Sequence, residues 1–582
     1  MNLRKLYRSC IFLLVSLLFF SCQNEVQKPD NLVLKIIETS DVHGAVFPYD
    51  FVNDRPAEGS LAQVTTYVRE ERSDTTQEVI LLDNGDILQG QPTVYFSNFI
   101  EPDKPHILTR VMRYMGYDAG TVGNHDIEAG HPVYDRLNKN FSFPWLAANA
   151  VDIRTGKPYF RPYTVIERAG VKIAVLGLIT PGIPKWLPPY IYENIRFEDM
   201  VETARKWVPL IREKEDPDVL IGLFHAGYDY TYGGESDSTG NNENASVLVI
   251  RNVPGFDLVL IGHDHKLIKD KVTDPENRHV LLLDPASSAR FVSSATITMK
   301  RDLTTGHYLK KIEGNLIPMK EFAPDSAFMV TFSADEEKIR DYVSRPLGTF
   351  TTDVSATDAL FGDASFTDLV HRVQLDISDA DISFTAPLSL NAVIPAGTIY
   401  VRDMFKLYRF ENLLYTMRLT GSEIRDYLEY SYSHWVNTMG NADDEMLLMD
   451  KKKNRLKYQY YNFDSAEGID YTVDLTKPAG NRINISGLQN GTPFDENAWY
   501  KVAVNSYRGN GGGGHLTKGC GLSVDTLRTR ILSGTDHDLR FYIMQWIEKQ
   551  KTVDPRASGN WKFIPEAWAK AAEEREKDLF RK

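Results

Sequence analysis

The chain has 582 residues, a formal net charge of −13, 42% hydrophobic residues and 25% charged residues. A single hydrophobic core usually stops growing at about 250–300 residues, so this length predicts two domains. The acidic balance argues against a protein that binds nucleic-acid polymers or anionic membranes through its overall charge. It does not exclude a nucleotide ligand, because bound metal ions can reverse the sign of the charge locally.

The first residues have the pattern of an export signal, which we assign to residues 1–21. Three basic residues, Arg4, Lys5 and Arg8, precede the apolar run IFLLVSLLFF at 11–20. A bilayer takes about 20 apolar residues to span, so this run is too short for a membrane-spanning helix. It therefore predicts a cleaved signal peptide.

Cys22 ends the signal in the sequence FFSC (19–22), where a small residue followed by cysteine resembles a bacterial lipoprotein cleavage motif. The alternative is an ordinary cleavage site with an incidental cysteine, because Phe19 stands where the motif prefers leucine. We expect export to the periplasm or cell envelope, with a lipidated tether at 22–32 as the membrane contact. Cys10 lies in the signal, so Cys520 has no disulfide partner in the mature chain.

Short β-branched runs alternate with longer helical patterns from residue 33 to about residue 300, which is typical of a layered α/β domain. Several runs are continuously apolar, as expected for strands buried on both faces. Clear helical patterns cover 61–71 and 200–215. The predicted strands are 32–38, 78–83, 171–179, 218–224, 256–262 and 279–284.

A second region follows a connecting helix predicted at 335–343, which RPLG at 345–348 ends. Helical patterns and short strands mix between about 350 and 550, which predicts an α+β domain. The charged segment from 565 is expected to be a solvated helix. The patterns in the second region are helices at 366–374 and 421–435 and strands at 381–386, 397–401 and 499–507.

Polar residues stand at or just beyond the ends of four of these predicted strands and of a fifth run that ends before residue 123. In open α/β sheets, ligands bind at the carboxyl ends of the strands. Neighbouring glycines permit the abrupt turns that aim such side chains inward. The residues are Asp41, His43, Asp86, Asn124, His125, His225, His263 and His265.

This set has the composition of a metal site, with two aspartates, one asparagine and five of the 13 histidines in the chain. Imidazole and carboxylate ligands suit Zn²⁺, Mn²⁺ or Fe, whereas Mg²⁺ and Ca²⁺ prefer all-oxygen shells. Eight donors are too many for one tetrahedral ion, but they suffice for two ions bridged by a carboxylate, with one histidine left for chemistry. Two ions about 4 Å apart can activate a water molecule and clamp a phosphoryl oxygen.

Each of these motifs is weak when taken alone. A lone histidine after a strand, such as His225, is more often capped or solvated than a ligand. An asparagine in a turn is usually only a turn residue. Five such segments in order after five strands supply the signal that the single motifs lack.

The order D-x-H, G-D, G-N-H, H and G-H-x-H resembles the signature of calcineurin-like metallophosphoesterases. Later stretches, at 397–431, 461–478 and 502–514, resemble the C-terminal domain of the bacterial 5′-nucleotidase family. That family includes 2′,3′-cyclic-nucleotide 2′-phosphodiesterase/3′-nucleotidases, and the YNFD…GIDY stretch is similar to that branch. The resemblance implies a four-layer α/β/β/α metallophosphoesterase domain at 33–320, a linker with a helix at 321–350, an α+β substrate-recognition domain at 351–550 and a charged helical tail at 551–582.

The resemblance also implies two divalent ions, drawn from Zn, Mn, Fe or Co, that share one aspartate. The implied ligands are Asp41, His43 and His265 for one ion, Asn124, His225 and His263 for the other, and Asp86 between them.

Catalytic roles are implied for the stretch GNHDIEAG at 123–130. His125 would stabilise phosphoryl oxygens or protonate the leaving alkoxide. In the family, an acid three residues further on often orients this histidine, and here that acid is Glu128. The 5′-specific branch usually has Asp there and the cyclic branch often Asn, so Glu128 is a departure. The alternative for Glu128, as for Asp126, is an acid favoured by the dipole at a helix N-terminus.

Base recognition is implied for the second domain. Phe410 and Tyr507 match the two aromatic residues that sandwich the base in the family, with Asn412 beside them. The alternative is that both rings are core residues. The glycine run at 511–514 lacks the lysine and helix of a phosphate-binding P-loop, so it is weak support by itself.

One element departs from the family. A Gly-Gly-x-Arg-like segment is common before the P-x-G-x-I element, whereas this chain reads TAPLSLNAVIPAGTI at 385–399, without arginine. Ser389 or Asn391 would have to replace that polar contact, or the contact is missing. The position of the phosphate that the site reads therefore stays open.

Taken together, these patterns predict an exported two-domain phosphohydrolase of 2′,3′-cyclic nucleotides and 3′-nucleotides. One rival is a 5′-nucleotidase or UDP-sugar hydrolase. The other is a non-catalytic surface lipoprotein that binds nucleotides or another ligand, which the complete ligand set disfavours. Native metals, base preference, membrane leaflet and oligomeric state are left open by the sequence.

Overall fold

A computed structural model of the protein describes residues 28–232, 235–451 and 455–580. The predicted signal peptide and Cys22 lie outside these residues. Within the described part of the chain, no helix has both the length and the apolar character that crossing a bilayer requires.

Two six-stranded sheets form the centre of the first domain. Each contains four parallel strands, and the remaining strands pair antiparallel at the edges. The first sheet has the order Tyr308–Pro318, Phe291–Arg301, Asn31–Thr39, Glu78–Asp83, Ala119–Thr121, Trp145–Leu146. The second has the order Leu267–Thr273, His279–Pro285, Leu258–Ile261, Val219–His225, Val171–Ile179, Tyr163–Arg168. All six strands predicted from apolar runs are present.

The two sheets face each other across a shared apolar layer, which includes Ile36, Leu82 and Leu260. Helices cover the outer face of each sheet and bury separate apolar clusters there. This arrangement confirms the predicted four-layer α/β/β/α domain. The helices on the first sheet are Leu61–Ser73, Ile107–Met115, His131–Asn140 and Ser326–Val343, and those on the second are Met200–Glu215 and Ser246–Asn252.

Capping residues mark the ends of three of these helices. The Ser60 side chain accepts a hydrogen bond from the backbone of Gln63, which caps the first of them. Asp199 caps the helix Met200–Glu215 in the same way. Gly116 ends the helix Ile107–Met115 in the left-handed conformation that glycine adopts most readily.

The connecting helix differs from the prediction at its start. It runs over Ser326–Val343, nine residues longer at its amino end than the predicted 335–343, and Asp325 caps it. The missed part reads SAFMVTFSA, where Val, Thr and Phe favour strands in isolation. Phe328 and Phe332 bury this part against the first domain. The strand Pro346–Phe350 then pairs within the second domain, so the predicted linker divides at about residue 345.

The second domain is built around a five-stranded mixed sheet, with two three-stranded sheets and two strand pairs beside it, which confirms its α+β class. The central order is Ser465–Glu467, Ile382–Thr385, Trp499–Asn505, Leu414–Thr420, Ile531–Gly534. The smaller sheets are Gly397–Tyr400, Pro346–Phe350, Thr552–Val553 and Ile483–Leu488, Ile469–Asp474, Trp561–Ile564. The main helices are Ser365–Ser378, Val401–Leu407, Gly421–Trp435, Leu539–Gln550 and Glu566–Glu576.

The carboxyl-terminal segment is not the solvated tail that its charges suggested. The expected helix is present at Glu566–Glu576, but Ala569 and Ala572 on one face are buried in the core of the second domain. The preceding strand Trp561–Ile564 pairs in parallel with Ile469–Asp474. Buried Glu576 accepts hydrogen bonds from two backbone amides, Met446 N and Leu447 N. The small apolar face of this helix was hidden in the sequence by its many charged residues.

Candidate active site

The eight predicted site residues of the first domain lie together at the carboxyl ends of five parallel strands. The strands come from both sheets, so the site spans the edge where the two sheets meet. Asp41 and His43 follow Asn31–Thr39, Asp86 follows Glu78–Asp83, Asn124 and His125 follow Ala119–Thr121, His225 ends Val219–His225, and His263 and His265 follow Leu258–Ile261.

Two groups of side chains could each hold a metal ion. In the first, His43 Nε2 lies 2.9 Å from His265 Nε2, and His265 Nε2 lies 3.3 Å from Asp41 Oδ1. Two imidazole nitrogens and one carboxylate oxygen thus converge, and a cation placed among them could take all three as ligands. These three residues are the ones predicted for one ion.

The second group contains Asp86, His225 and His263. Asp86 Oδ2 lies 3.2 Å from His225 Nε2. Asn124 joins them through its Oδ1, which is 3.2 Å from His225 Nε2 and 2.8 Å from His263 Nδ1. Nitrogen and oxygen donors of this kind suit a divalent transition metal or zinc.

Hydrogen bonds outside each group orient three of the histidines. His43 Nδ1 lies 2.8 Å from the backbone oxygen of Gln89, and His225 Nδ1 lies 2.6 Å from that of Asn84. His263 uses its other nitrogen, Nε2, which is 3.2 Å from Glu243 Oε1. In each ring one nitrogen is thus engaged and the other is free to bind a cation, which is the usual design of metal-binding histidines.

The charges of the site shift the pKa values of its members. Burial alone would raise the pKa of Asp86, but the charges of His225 and His125 outweigh it and hold that pKa well below its usual value. Burial opposes protonation of His225, yet Asp86 raises its pKa to about 10. Burial and the charge of His265 lower the pKa of His43 to about 3. The buried carboxylate therefore stays charged and attracts positive charge, as a cation site requires.

The backbone of the site is strained. Five of its residues have positive φ although none is glycine, a conformation that costs free energy and clusters at functional sites. Gly123 and Gly262 let neighbouring loops of the site approach closely. A Cβ at Gly123 would lie 2.2 Å from Asp86 Oδ1, and one at Gly262 would lie 1.9 Å from Ser40 Oγ. The strained residues are Asp41, His43, Asp86, His263 and His265.

His125 and Glu128 form a pair within the short helix Asn124–Glu128. His125 Nδ1 lies 2.5 Å from Glu128 Oε2. The backbone amide of His125 also donates to Asp86 Oδ1 at 2.8 Å. Burial opposes protonation of His125, but Asp86 and then Glu128 raise its pKa to about 9. The ring centroid of His125 lies 5.6 Å from that of His43, which places it beside the first group.

Asp126 has a role that the sequence did not reveal. The carboxylate accepts hydrogen bonds from four backbone amides: Asp86 N, Ile87 N, Leu88 N and Gly123 N, at 2.7 to 3.0 Å. It ties the loop of Asp86 to the loop of Asn124, beyond what the helix dipole alone would explain. Asp126 does lie near a helix N-terminus, as predicted, but its hydrogen bonds to the amides of the Asp86 loop are what hold the two loops together.

The second-domain residues Phe410, Asn412 and Tyr507 lie beyond the adjacent ends of two neighbouring strands of the central sheet. Asn412 precedes the strand Leu414–Thr420, and Tyr507 follows Trp499–Asn505, with Leu414 opposite Asn505 in the pairing. Phe410 and Tyr507 are both half-buried, so neither is a full core residue.

Tyr461 is an aromatic residue of this region that the sequence analysis did not single out. Its ring contacts Phe410 edge to face, with centroids 6.2 Å apart. Arg508, next to Tyr507, donates to the Tyr461 backbone oxygen at 2.7 Å. Ser389 Oγ, proposed in place of the missing arginine, accepts a hydrogen bond from Ala392 N.

The two domains meet beside the metal-ligand candidates. Gln89, whose backbone oxygen holds His43, donates through Nε2 to the backbone oxygen of Arg409, at 3.2 Å. Gln459 Nε2 donates to Tyr232 OH at 2.8 Å from the other side. Arg409 directly precedes Phe410, and Gln459 lies two positions before Tyr461, so the domains touch at the segments that carry these aromatic residues.

Two family models match this chain. The calcineurin-like phosphoesterase model covers residues 34–267, and the 5′-nucleotidase C-terminal domain model covers residues 346–518. Their order agrees with the two domains of the structure, and each model covers the larger part of one domain. The chain belongs to the calcineurin-like phosphoesterases that carry a 5′-nucleotidase C-terminal domain, and it is a phosphoester hydrolase.

The chain is similar to several characterised proteins. It is 27% identical to the trifunctional nucleotide phosphoesterase YfkN of Bacillus subtilis (strain 168), over 91% of this chain and 39% of that protein. It is 24% identical to a 2′,3′-cyclic-nucleotide 2′-phosphodiesterase/3′-nucleotidase of Yersinia enterocolitica, over 91% of this chain and 88% of that one. A 5′-nucleotidase precursor structure from Thermus thermophilus shares the fold, with a TM-score of 0.64, 21% identity, and coverage of 92% and 100% of the two chains.

Proposed function

We propose that this protein hydrolyses 2′,3′-cyclic nucleotides and 3′-nucleotides with two divalent cations. The observation that carries the proposal is the convergence of seven candidate ligands beside the His125–Glu128 pair, close to the contact between Gln89 and Arg409 of the second domain, which directly precedes Phe410. Proteins of Yersinia enterocolitica and Haemophilus influenzae named for these two activities match 91% of the chain, at 24% and 26% identity.

Bound divalent cations would lower the pKa of a water molecule and balance the charge of the phosphoryl group. The protein's contribution is to place the remaining groups. Asp86, held by the amide of His125, would lie between the two cations, and Asn124 would supply an amide oxygen beside His225 and His263.

His125 is proposed to act on the phosphoester itself. Glu128 engages Nδ1, so Nε2 is the nitrogen left for the substrate. As an imidazolium, His125 can donate a hydrogen bond to a phosphoryl oxygen and then a proton to the leaving alkoxide. Phe410 and Tyr507 would stack on the base, which orients the ester without selecting strongly among bases.

The first test is hydrolysis of 2′,3′-cAMP, 3′-AMP and 5′-AMP by the purified protein with Mn²⁺ or Zn²⁺ and with EDTA. Metal-dependent turnover of the first two supports the proposal. Turnover of 5′-AMP alone would keep the metal site but assign the protein to the 5′-nucleotidases. Asp86→Ala should abolish turnover in a protein that still folds, whereas Asp103→Ala, at an exposed acid, should not.

We also propose that the protein is exported and anchored to a bacterial membrane through lipid on Cys22, in the periplasm or cell envelope. The support is the basic and apolar pattern before FFSC. Cys22→Ala should move the protein from the membrane fraction to the soluble fraction of a lysate. An unchanged distribution would reject the lipid anchor and leave the hydrolase proposal intact.

A further inference from the structure

Glu243 lies at the end of the loop that joins the strand Val219–His225 to the helix Ser246–Asn252. Two contacts fix its backbone on either side of the side chain. Thr180 Oγ1 donates to the Glu243 backbone oxygen at 2.9 Å, and the Glu243 amide donates to Glu235 Oε2 at 3.1 Å. The carboxylate is therefore aimed by a held backbone.

The target of this carboxylate is His263. Glu243 Oε1 lies 3.2 Å from His263 Nε2, and the two side chains are 26% and 10% exposed. Asn124 Oδ1 lies 2.8 Å from the opposite nitrogen, Nδ1, and Trp186 stacks on the ring with centroids 5.8 Å apart. Of these three neighbours, Glu243 is the carboxylic acid, and its Oε1 is placed to accept a hydrogen from His263 Nε2.

The same loop reaches the second domain. Tyr232 in this loop accepts a hydrogen bond from Gln459. Burial, together with nearby charges that include Glu243, raises the pKa of both Tyr461 and Tyr507. The loop of Glu243 thus contacts both a candidate metal ligand and the second domain.

We propose that Glu243 is a positioning residue, which holds His263 with Nδ1 toward the second cation and so sets the affinity for that cation. The proposal rests on the proposed two-cation site. A carboxylate that accepts the other N–H of a metal-binding histidine fixes the ring orientation and makes the ligand more basic. Nothing in the sequence marked Glu243, because it stands 20 residues before its partner in an irregular loop.

The test measures metal binding rather than turnover. Glu243→Ala should weaken the binding of one of the two cations by about 10- to 100-fold, the usual cost of losing such a partner. Chelator competition followed by elemental analysis would show occupancy falling from about two ions toward one per chain. Glu243→Gln keeps an oxygen that accepts the His263 N–H, so it should retain more affinity than the alanine variant. Asp237→Asn removes one charge from the same loop at an exposed site and should leave both affinities unchanged.

A double-variant cycle separates positioning from general damage to the loop. In a His263→Ala background, Glu243→Ala should cause little further loss of cation affinity, because its effect passes through the missing ring. The Co²⁺-loaded protein should also show altered visible absorption bands in Glu243→Ala but not in Asp237→Asn.

Two outcomes would overturn the inference, and a third would reject its basis. Wild-type affinity for both cations in Glu243→Ala would overturn it. So would an equal further loss when Glu243→Ala is added to His263→Ala. A wild-type protein that binds fewer than two ions would instead reject the proposed two-cation function. If the alanine variant fails to fold, the glutamine variant carries the same comparison.

Discussion

Arg508→Met should destabilise the second domain and weaken nucleotide binding. Arg508 and Asp464 form a buried ion pair in which each side chain is only 2% exposed. Arg508 donates through Nε and Nη2 to the two Asp464 oxygens at 2.9 and 2.8 Å. It also donates to the backbone oxygens of Tyr461 and Gly512 at 2.7 and 3.3 Å. One side chain thus joins the glycine loop, the segment of Tyr461 and the start of the proposed base clamp.

The loss of stability in Arg508→Met follows from the carboxylate that the variant leaves unpaired. Burial would raise the pKa of Asp464, but Arg508 outweighs it and keeps the carboxyl charged. Methionine fills similar space without a charge, so Asp464 becomes an uncompensated buried anion. Removing one partner of such a pair costs about 3–5 kcal/mol. Each kcal/mol lowers the melting temperature of a domain of about 150–250 residues by about 2–4 °C, which predicts a fall of about 6–20 °C.

Scanning calorimetry of the intact protein would measure this fall in the transition of the second domain. The double variant Arg508→Met/Asp464→Asn removes the stranded charge and should recover part of the loss. The KM for nucleotides should rise in Arg508→Met, with a smaller change in kcat, because Tyr461 and the glycine loop lose their anchor. A destabilisation below about 1 kcal/mol would refute the assignment of the pair as a buried ionic link.

Other perturbations test the remaining parts of the site. Phe410→Ala and Tyr507→Ala should each raise KM by about 5- to 150-fold, from a stacking loss of about 1–3 kcal/mol, and equal KM values would contradict the clamp. His125→Asn should lower kcat by about 10²- to 10⁴-fold with metal content unchanged, and Glu128→Gln should lower it less. Burial and the charge of a neighbouring carboxyl raise the pKa of Asp368 to about 8. The folded state therefore holds a proton there that the unfolded chain releases above about pH 4, so stability of the second domain should fall as the pH rises from about 4 to 8. Denaturant titrations of Asp368→Asn should show a flatter pH dependence, and a slope equal to that of the wild type would reject the shift.

The positions of the apolar strands of the first domain along the chain, and of the candidate ligands after them, could be predicted because their sequence signals are local. All the candidate ligands except Asn124 stand at or within a few residues of the end of a predicted apolar strand, as Asp86 does after Glu78–Asp83. Parallel strands bring their carboxyl ends to one edge, so short-range patterns were enough to gather residues far apart in the chain. The alternation of strands and helices predicted a layered α/β domain, and the resemblance to calcineurin-like metallophosphoesterases implied its four-layer form.

Partners across the chain could not be predicted in this way. Glu243 and Trp186 approach His263 from irregular loops whose sequences carry no period. Asp126 has the sequence context of a helix N-terminal acid, and only the fold shows that it binds amides of the Asp86 loop. The carboxyl-terminal helix was misjudged because two buried alanines contribute little to a pattern dominated by charge.

The strand Asn31–Thr39 connects the amino-terminal end of the described chain to the candidate active site. It spans nine residues and ends two positions before Asp41. At about 3.3 Å per residue, it separates its two ends by about 30 Å. If lipid on Cys22 holds the protein as proposed, the bilayer lies on the side where this strand begins. A soluble nucleotide would then meet the candidate site about one strand length farther from the lipid headgroups than Asn31.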